Sequence, residues 1–180
     1  NNIGRTIAEK YEEYDGFVVL HGTDTMSYTA SALSFMLEGL NKPVIFTGAQ
    51  IPLCELRSDG RDNLINSIII AGEGHVKEVC VYFGNKLLRA NRSTKIASKD
   101  LQAFDSPDYP PLAEVRIDIC YNESAMALPS RPKTFHFTEL QSFPIGVLKL
   151  FPGFQFDLFE GMINRNLKAV VLEAFGSGNI

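Results

Sequence analysis

The sequence predicts an α/β fold: a three-layer, mostly parallel sheet with helices on both faces. Three observations predict it. Short continuous apolar runs, Phe17-Val18-Val19-Leu20 and Val79-Cys80-Val81-Tyr82-Phe83, read as strands buried on both faces. Between them, apolar residues recur at i, i+3, i+4 and i+7, the spacing of helices. The two patterns alternate along the chain, as parallel strands joined by crossover helices do.

Residues 6–14 read as a helix, with Ile7, Ala8, Tyr11 and Tyr14 on one face and charges on the other. Asp15-Gly16 turns the chain into the first strand, 17–20. His21-Gly22-Thr23-Asp24-Thr25 follows as a polar turn. Leu33, Met36, Leu37 and Leu40 then mark a helix, stopped by Gly39, Asn41 and Pro43. Val44-Ile45-Phe46 is a strand and Thr47-Gly48-Ala49-Gln50 a second polar turn. Ser58-Asp59-Gly60 offers a cap to a helix whose inward face is read as Ile65, Ile68, Ile69 and Gly72. After the strand at 79–83, Gly84-Asn85 turns the chain back so that Leu87-Leu88 pairs beside it. Residues 90–114 carry three prolines and no periodicity, the mark of a functional or mobile loop. Residues 115–144 are irregular, with short strand candidates. A strand over 145–151, a helix near 156–164 and a strand over 168–175 complete the reading, ending in Gly176-Ser177-Gly178-Asn179. Right-handed crossovers would gather the polar turns 21–25, 47–50 and 176–179 at the carboxyl ends of the strands, where α/β sheets bind ligands.

Composition narrows the partners. The chain has 180 residues and a net charge of −4, without clusters of Lys and Arg. That argues against nucleic acid or an anionic membrane surface. No apolar run reaches the ~18 residues that span a membrane. The residues from Asn1 lack the basic start and apolar core of a secretory signal. Cys54, Cys80 and Cys120 fit neither a disulfide framework nor a CxxC metal site, so a reducing, cytoplasmic compartment is expected. The sequons at Asn91 and Asn122 carry little weight in that setting.

Two segments can carry chemistry. At Gly22-Thr23-Asp24-Thr25 a strand ends and a helix begins, and free helix N–H groups there attract oxyanions. Thr and Asp are also preferred helix caps, and capping alone accounts for one such residue. Four of the five positions 21–25 are polar, which is more than a cap needs. His21 has no evident partner, and no Ser/His/Asp set, G-x-S-x-G elbow, phosphate loop or metal-ligand spacing occurs. In Asn91-Arg92-Ser93-Thr94-Lys95, a cation brought into a cleft would matter. A threonine hydroxyl is a poor nucleophile until a base activates it. A Thr–Lys–Asp set supplies that: Lys takes the proton, and Asp orients the Lys. Spacing alone does not bring Lys95 to Thr23.

The segment Asp15-Gly16-Phe17-Val18-Val19-Leu20-His21-Gly22-Thr23-Asp24-Thr25-Met26 resembles the second signature of the bacterial-type L-asparaginases. Ser27 to Glu38 resembles their cytosolic type I branch. Thr47-Gly48-Ala49-Gln50-Ile51-Pro52-Leu53, Arg57-Ser58-Asp59-Gly60 with Asn63-Leu64, Asn91 to Lys95, and Phe175 to Asn179 follow in family order. Residues 115–144 match least. The resemblance implies the asparaginase N-terminal, flavodoxin-like α/β domain over 1–180. It implies hydrolysis of L-asparagine to L-aspartate and ammonia, without metal or cofactor. Its catalytic set falls on Thr23, Asp24 and Lys95, with substrate contacts from Gly22, Thr23, Asp24 and Ala49. Thr94 matches a position in an asparagine effector site of the type I branch. A homodimer or homotetramer in the cytoplasm is implied.

One departure accompanies it. The family's other essential threonine sits in a T-G-G-T-I strand upstream of H-G-T-D-T, and that motif does not occur here; Thr6 lies in a helical segment and does not replace it. The chain is therefore expected to be an N-terminal domain incomplete at its start, without the smaller C-terminal domain, and inactive in isolation. Two other functions remain open: an asparaginase-like subunit of a tRNA-dependent amidotransferase, and a non-catalytic amide-binding module.

Overall fold

The computed structural model describes residues 1–126, 134–163 and 166–179. Two compact units divide the chain, residues 1–139 and 140–180.

The first unit opens with helix α1, Asn2–Lys10. The helix lies four residues earlier than the sequence reading placed it. Past its end, the Lys42 ammonium donates to the carbonyls of Tyr11 and Tyr14. Ile7 and Tyr11 are buried, as their spacing predicts. Strand β1, Phe17–Leu20, leads through the polar turn to helix α2, Met26–Met36. Leu37 and Leu40 do not extend that helix. Leu37–Glu38 instead forms a short strand β2, and Gly39 takes φ +68°. Strand β3, Val44–Thr47, is buried throughout. Helix α3, Gly60–Glu73, and strand β4, Val79–Phe83, follow. Gly84, at φ +67°, turns the chain into β5, Lys86–Arg89, as expected.

The segment 90–114 contains short regular elements. A 3₁₀ turn, Ala90–Arg92, leads to β6, Thr94–Lys95, which pairs antiparallel with β7, Phe104–Asp105. Strands β8, Ala113–Val115, and β9, Ile119–Tyr121, follow, and β10, His136–Phe137, pairs antiparallel with β2.

The main sheet has strand order β1-β3-β4-β5-β8-β9. β1, β3 and β4 run parallel, and β5, β8 and β9 extend the sheet antiparallel. Alternate residues point to opposite faces. Val44, Phe46, Val79, Val81 and Phe83 pack with Ile7 of α1, with Tyr11 just past its end, and with Met26, Ala30 and Leu33 of α2. Ile45, Cys80 and Tyr82 pack with Ile70 and Ala71 of α3. The helices thus cover both faces. Moving from β1 to β3 to β4 steps in one direction, yet α2 and α3 lie on opposite faces. The two crossovers therefore have opposite hands, and one is left-handed, a rare exception to the right-handed rule.

Two burial expectations change. β1 is only half-buried, and Leu20 is 60% exposed, because β1 is an edge strand paired with β3 among the described residues. Ile65, Ile68 and Ile69 of α3 are exposed. The helix turns Gly60, Asn63, Ser67, Ile70 and Ala71 inward instead. A Cβ on Gly60 would crowd the Ala49 methyl group at 2.8 Å, so small residues let α3 sit close to the β3 turn.

In the second unit, β11, Ile145–Lys149, pairs parallel with β12, Ala169–Glu173. A 3₁₀ turn, Phe156–Phe159, and a short helix α4, Glu160–Ile163, lie between them. The expected strands and helix are present, and residue 164 lies outside the described residues. Gly176–Asn179 forms a turn closed by a bridge between Phe175 and Asn179. Among the described residues, no helix is long and apolar enough to cross a membrane.

Candidate active site

Two of the polar turns converge at the carboxyl ends of β1 and β3. His21 N–H donates to the Thr47 carbonyl at 2.9 Å. A Cβ on Gly48 would collide with the His21 carbonyl oxygen, so only glycine lets the two turns approach this closely. Gly22 is different: a Cβ there would meet open space, which leaves its backbone accessible. A cavity of about 310 Å³ opens beside Gly22 and Ala49, walled by Leu20, Leu53 and Leu64. Thr23, Asp24 and Lys95 are not among its lining residues.

The polar residues after β1 do not serve as caps. Thr25 occupies the N-cap of α2, and its side chain makes no capping hydrogen bond. The side chains of Thr23 and Asp24 meet Lys95. The Lys95 ammonium donates to Thr23 Oγ1 at 2.8 Å and to Asp24 Oδ1 at 2.7 Å. A polar turn thus gains a cation from 71 and 72 residues further along the chain.

The ribbon β6–β7 makes that reach possible. Phe104 is buried against Phe83, ring centroids 4.9 Å apart, and Ala103 is fully buried. Lys86 pairs with Asp105 at 3.0 Å, tying the ribbon to β5. Ser93 Oγ lies 3.4 Å from Ser27 Oγ on α2. Lys95 is 19% exposed, whereas the Asp24 side chain is 92% exposed. The hydrogen bond from Lys95, and then its charge, hold the Asp24 carboxyl below its ordinary 3.8. Asp24 is therefore an ionised carboxylate, open to a further cationic group from solution. Thr94 is exposed beside Lys95 and, by strand alternation, projects from the other side of the ribbon.

His21 Nδ1 lies 2.7 Å from the Gly22 carbonyl. A carbonyl only accepts, so Nδ1 carries the proton and donates. The ring packs tilted on Phe46, centroids 5.8 Å apart. This is the setting of a structural histidine.

Sequence reasoning missed a cluster behind the β3 turn. Ser58 and Asp59 have the sequence of a cap for α3, but Asp59 makes no side-chain cap bond there. Its carboxylate accepts from the N–H groups of Gln50 and Ile51, at 3.1 and 2.9 Å. Ser58 Oγ donates to the Ile51 carbonyl at 2.8 Å. Asn63, buried one helical turn after Asp59, joins the same cluster. The i, i+4 spacing of Asp59 and Asn63 is the signal that could have found it. Gln50 Nε2 also donates to the Asp100 carbonyl at 3.1 Å, tying the turn to the loop between β6 and β7.

The family whose description is "Asparaginase, N-terminal" matches residues 1–127. The chain belongs to the asparaginase family. L-asparaginase 1 of Escherichia coli K12 is 46% identical over 99% of this chain and 52% of its own length. The L-asparaginase of Dirofilaria immitis is 46% identical over 99% of this chain and 30% of its own length. The crystal structure of L-asparaginase I from Vibrio cholerae matches with a TM-score of 0.92 at 44% identity, covering 99% of this chain and 55% of that one. More distant is a glutamyl-tRNA(Gln) amidotransferase component of Thermoplasma acidophilum, 34% identical over 99% of this chain and 44% of its own length. This chain therefore spans about half of the E. coli protein and less of the nematode one. The α/β class expected from the sequence is that of these asparaginase structures.

Proposed function

We propose that the protein carrying this chain is an L-asparagine amidohydrolase, releasing L-aspartate and ammonia. The observation that carries the reading is the Lys95 ammonium placed 2.8 Å from a threonine hydroxyl and 2.7 Å from a carboxylate, on turns at the carboxyl edge of the sheet. The 46% identity to asparaginases of two organisms supports it.

The substrate's α-ammonium group binds the exposed Asp24 carboxylate, and its side-chain amide lies near Gly22 and Ala49. The threonine of the family's T-G-G-T-I motif attacks the amide carbon, forming a tetrahedral oxyanion. Backbone N–H groups at the start of α2 steady that charge, a contribution typically worth ~3–4 kcal/mol per donor. As the C–N bond breaks, the nitrogen takes the proton given up by the attacking hydroxyl, and ammonia departs, leaving an acyl-enzyme ester. Water then cleaves the ester to give aspartate. Thr23, Asp24 and Lys95 relay protons through these contacts and help direct that water. Asp24 orients the lysine and balances its charged form. The protein is a cytoplasmic homodimer or homotetramer, with Thr94 in an effector site for free asparagine.

The test is the stoichiometry of products from the full-length protein. One ammonia per aspartate from L-asparagine, in the absence of tRNA and of any second protein, is the expected result. Ammonia appearing only with a charged tRNA and a partner protein would favour the amidotransferase reading. Binding of asparagine without turnover would favour the amide-binding module.

A further inference from the structure

The cluster at the start of α3 bears no part in the proton relay, yet it grips the turn that carries Ala49. Asn63 is 2% exposed and uses both ends of its side-chain amide. Nδ2 donates to the Gly48 carbonyl at 3.0 Å and to Asp59 Oδ2 at 3.2 Å. Oδ1 accepts from the Gly84 N–H at 3.2 Å. One side chain thus joins the turns after β3 and β4 to the first turn of a helix. Asp59 continues the grip by accepting from the N–H groups of Gln50 and Ile51. Ala49 sits between these two fixed points, and Gly60 packs against its methyl group.

We infer that Asn63 and Asp59 are positioning residues, which set the backbone of Gly48–Ile51 so that Ala49 forms a fixed wall of the substrate site. The inference rests on the proposed asparagine hydrolysis for its functional part only. A buried amide with three partners resists rotation, because each lost hydrogen bond leaves a desolvated polar group behind. Asparagine alone supplies this pairing. Aspartate in its place loses the Nδ2 donor and sets two acceptors, the Gly48 carbonyl and the Asp59 carboxylate, against a third. Asn in place of Asp59 keeps the shape but withdraws the charged acceptor from Gln50 and Ile51.

The experiment compares Asn63→Asp and Asp59→Asn with wild type in the full-length protein. It measures amide hydrogen exchange over residues 48–51, the melting temperature, and KM and kcat for L-asparagine. Both variants are expected to speed exchange in this turn and to raise KM on the order of tenfold, with kcat changed by less than about threefold. A merely structural role would lower the melting temperature and leave KM of the folded enzyme unchanged. Faster exchange with an unchanged KM in either folded variant therefore overturns the inference, as does unchanged exchange. If wild type does not hydrolyse asparagine, the functional reading fails separately, and the exchange measurement still decides whether the cluster holds the turn.

Discussion

Replacing Lys95 with methionine separates catalysis from folding. Methionine keeps much of the length and apolar stem of lysine and removes every donor. Two hydrogen bonds are lost, to Thr23 Oγ1 at 2.8 Å and to Asp24 Oδ1 at 2.7 Å. Their value to the fold is small. The Asp24 side chain is 92% exposed, so water replaces the lysine at that end, and exposed ion pairs add little to stability. Their value to the chemistry is large. A positioned general acid–base contributes on the order of 10²–10⁴ in rate, or ~3–5 kcal/mol of activation free energy. Lys95→Met in the full-length protein should therefore melt close to wild type while kcat falls by about that factor. Lys95→Arg sharpens the test. Arginine keeps the positive charge beside Asp24 but does not give up its proton in proteins. If proton transfer is the role, arginine fails to restore kcat; if charge alone matters, it restores most of it. The assay is continuous ammonia release, with circular dichroism to confirm the fold. A folded Lys95→Met enzyme within about threefold of wild-type kcat would refute the reasoning.

Other consequences follow from the same geometry. The Asp24 carboxyl, held below 3.8 by Lys95, should titrate by NMR with a midpoint below that value; its contribution to stability is present above pH 3.8 and is lost as the pH falls through the lower, folded midpoint. A midpoint at or above 3.8 would show that the pair is not formed in solution. Phe104→Ala, which empties the pocket against Phe83, should cost ~3–5 kcal/mol of stability by denaturant unfolding and also reduce kcat, because the ribbon that presents Lys95 loses its anchor. Unchanged turnover in that variant would separate the anchor from the catalytic lysine. Cys54 and Cys120 are exposed, whereas burial pushes the Cys80 thiol well up from its ordinary value. A thiol reagent should therefore modify two cysteines in the native fold and the third only after unfolding.

Much of this was legible in the sequence, for local reasons. The runs at 17–20, 44–46 and 79–83 are strands because each is apolar and short, and each is bounded by turn residues. Gly84-Asn85 marked its hairpin because a positive φ there favours glycine. What failed was long-range. Tyr11 to Tyr14 lie outside the first helix, where Lys42 from a distant part of the chain takes two of their carbonyls. Leu37 left its helix for a strand partner about a hundred residues away, His136–Phe137. The isoleucines of α3 imitate a core face because apolar spacing does not say which side meets the sheet. The inward face instead combines Ile70 and Ala71 with the small or polar Gly60, Asn63 and Ser67. The handedness of the crossovers was missed because the general rule is followed almost everywhere else.

The site divides in the same way. Thr23 and Asp24 stood out as an excess of polar residues at a strand end. Lys95 was attached to them through the family resemblance, and the antiparallel ribbon explains physically how it arrives. Ser58 and Asp59 were visible as a cap for α3: Ser58 Oγ does accept from the Gly60 N–H, whereas Asp59 turns to the N–H groups after β3.

The most direct measurement is ammonia release by full-length protein in which Thr23 alone becomes valine, a near-isosteric change that deletes only the hydroxyl Lys95 touches. The account predicts a folded enzyme that binds asparagine yet turns it over orders of magnitude more slowly; undiminished release would contradict it.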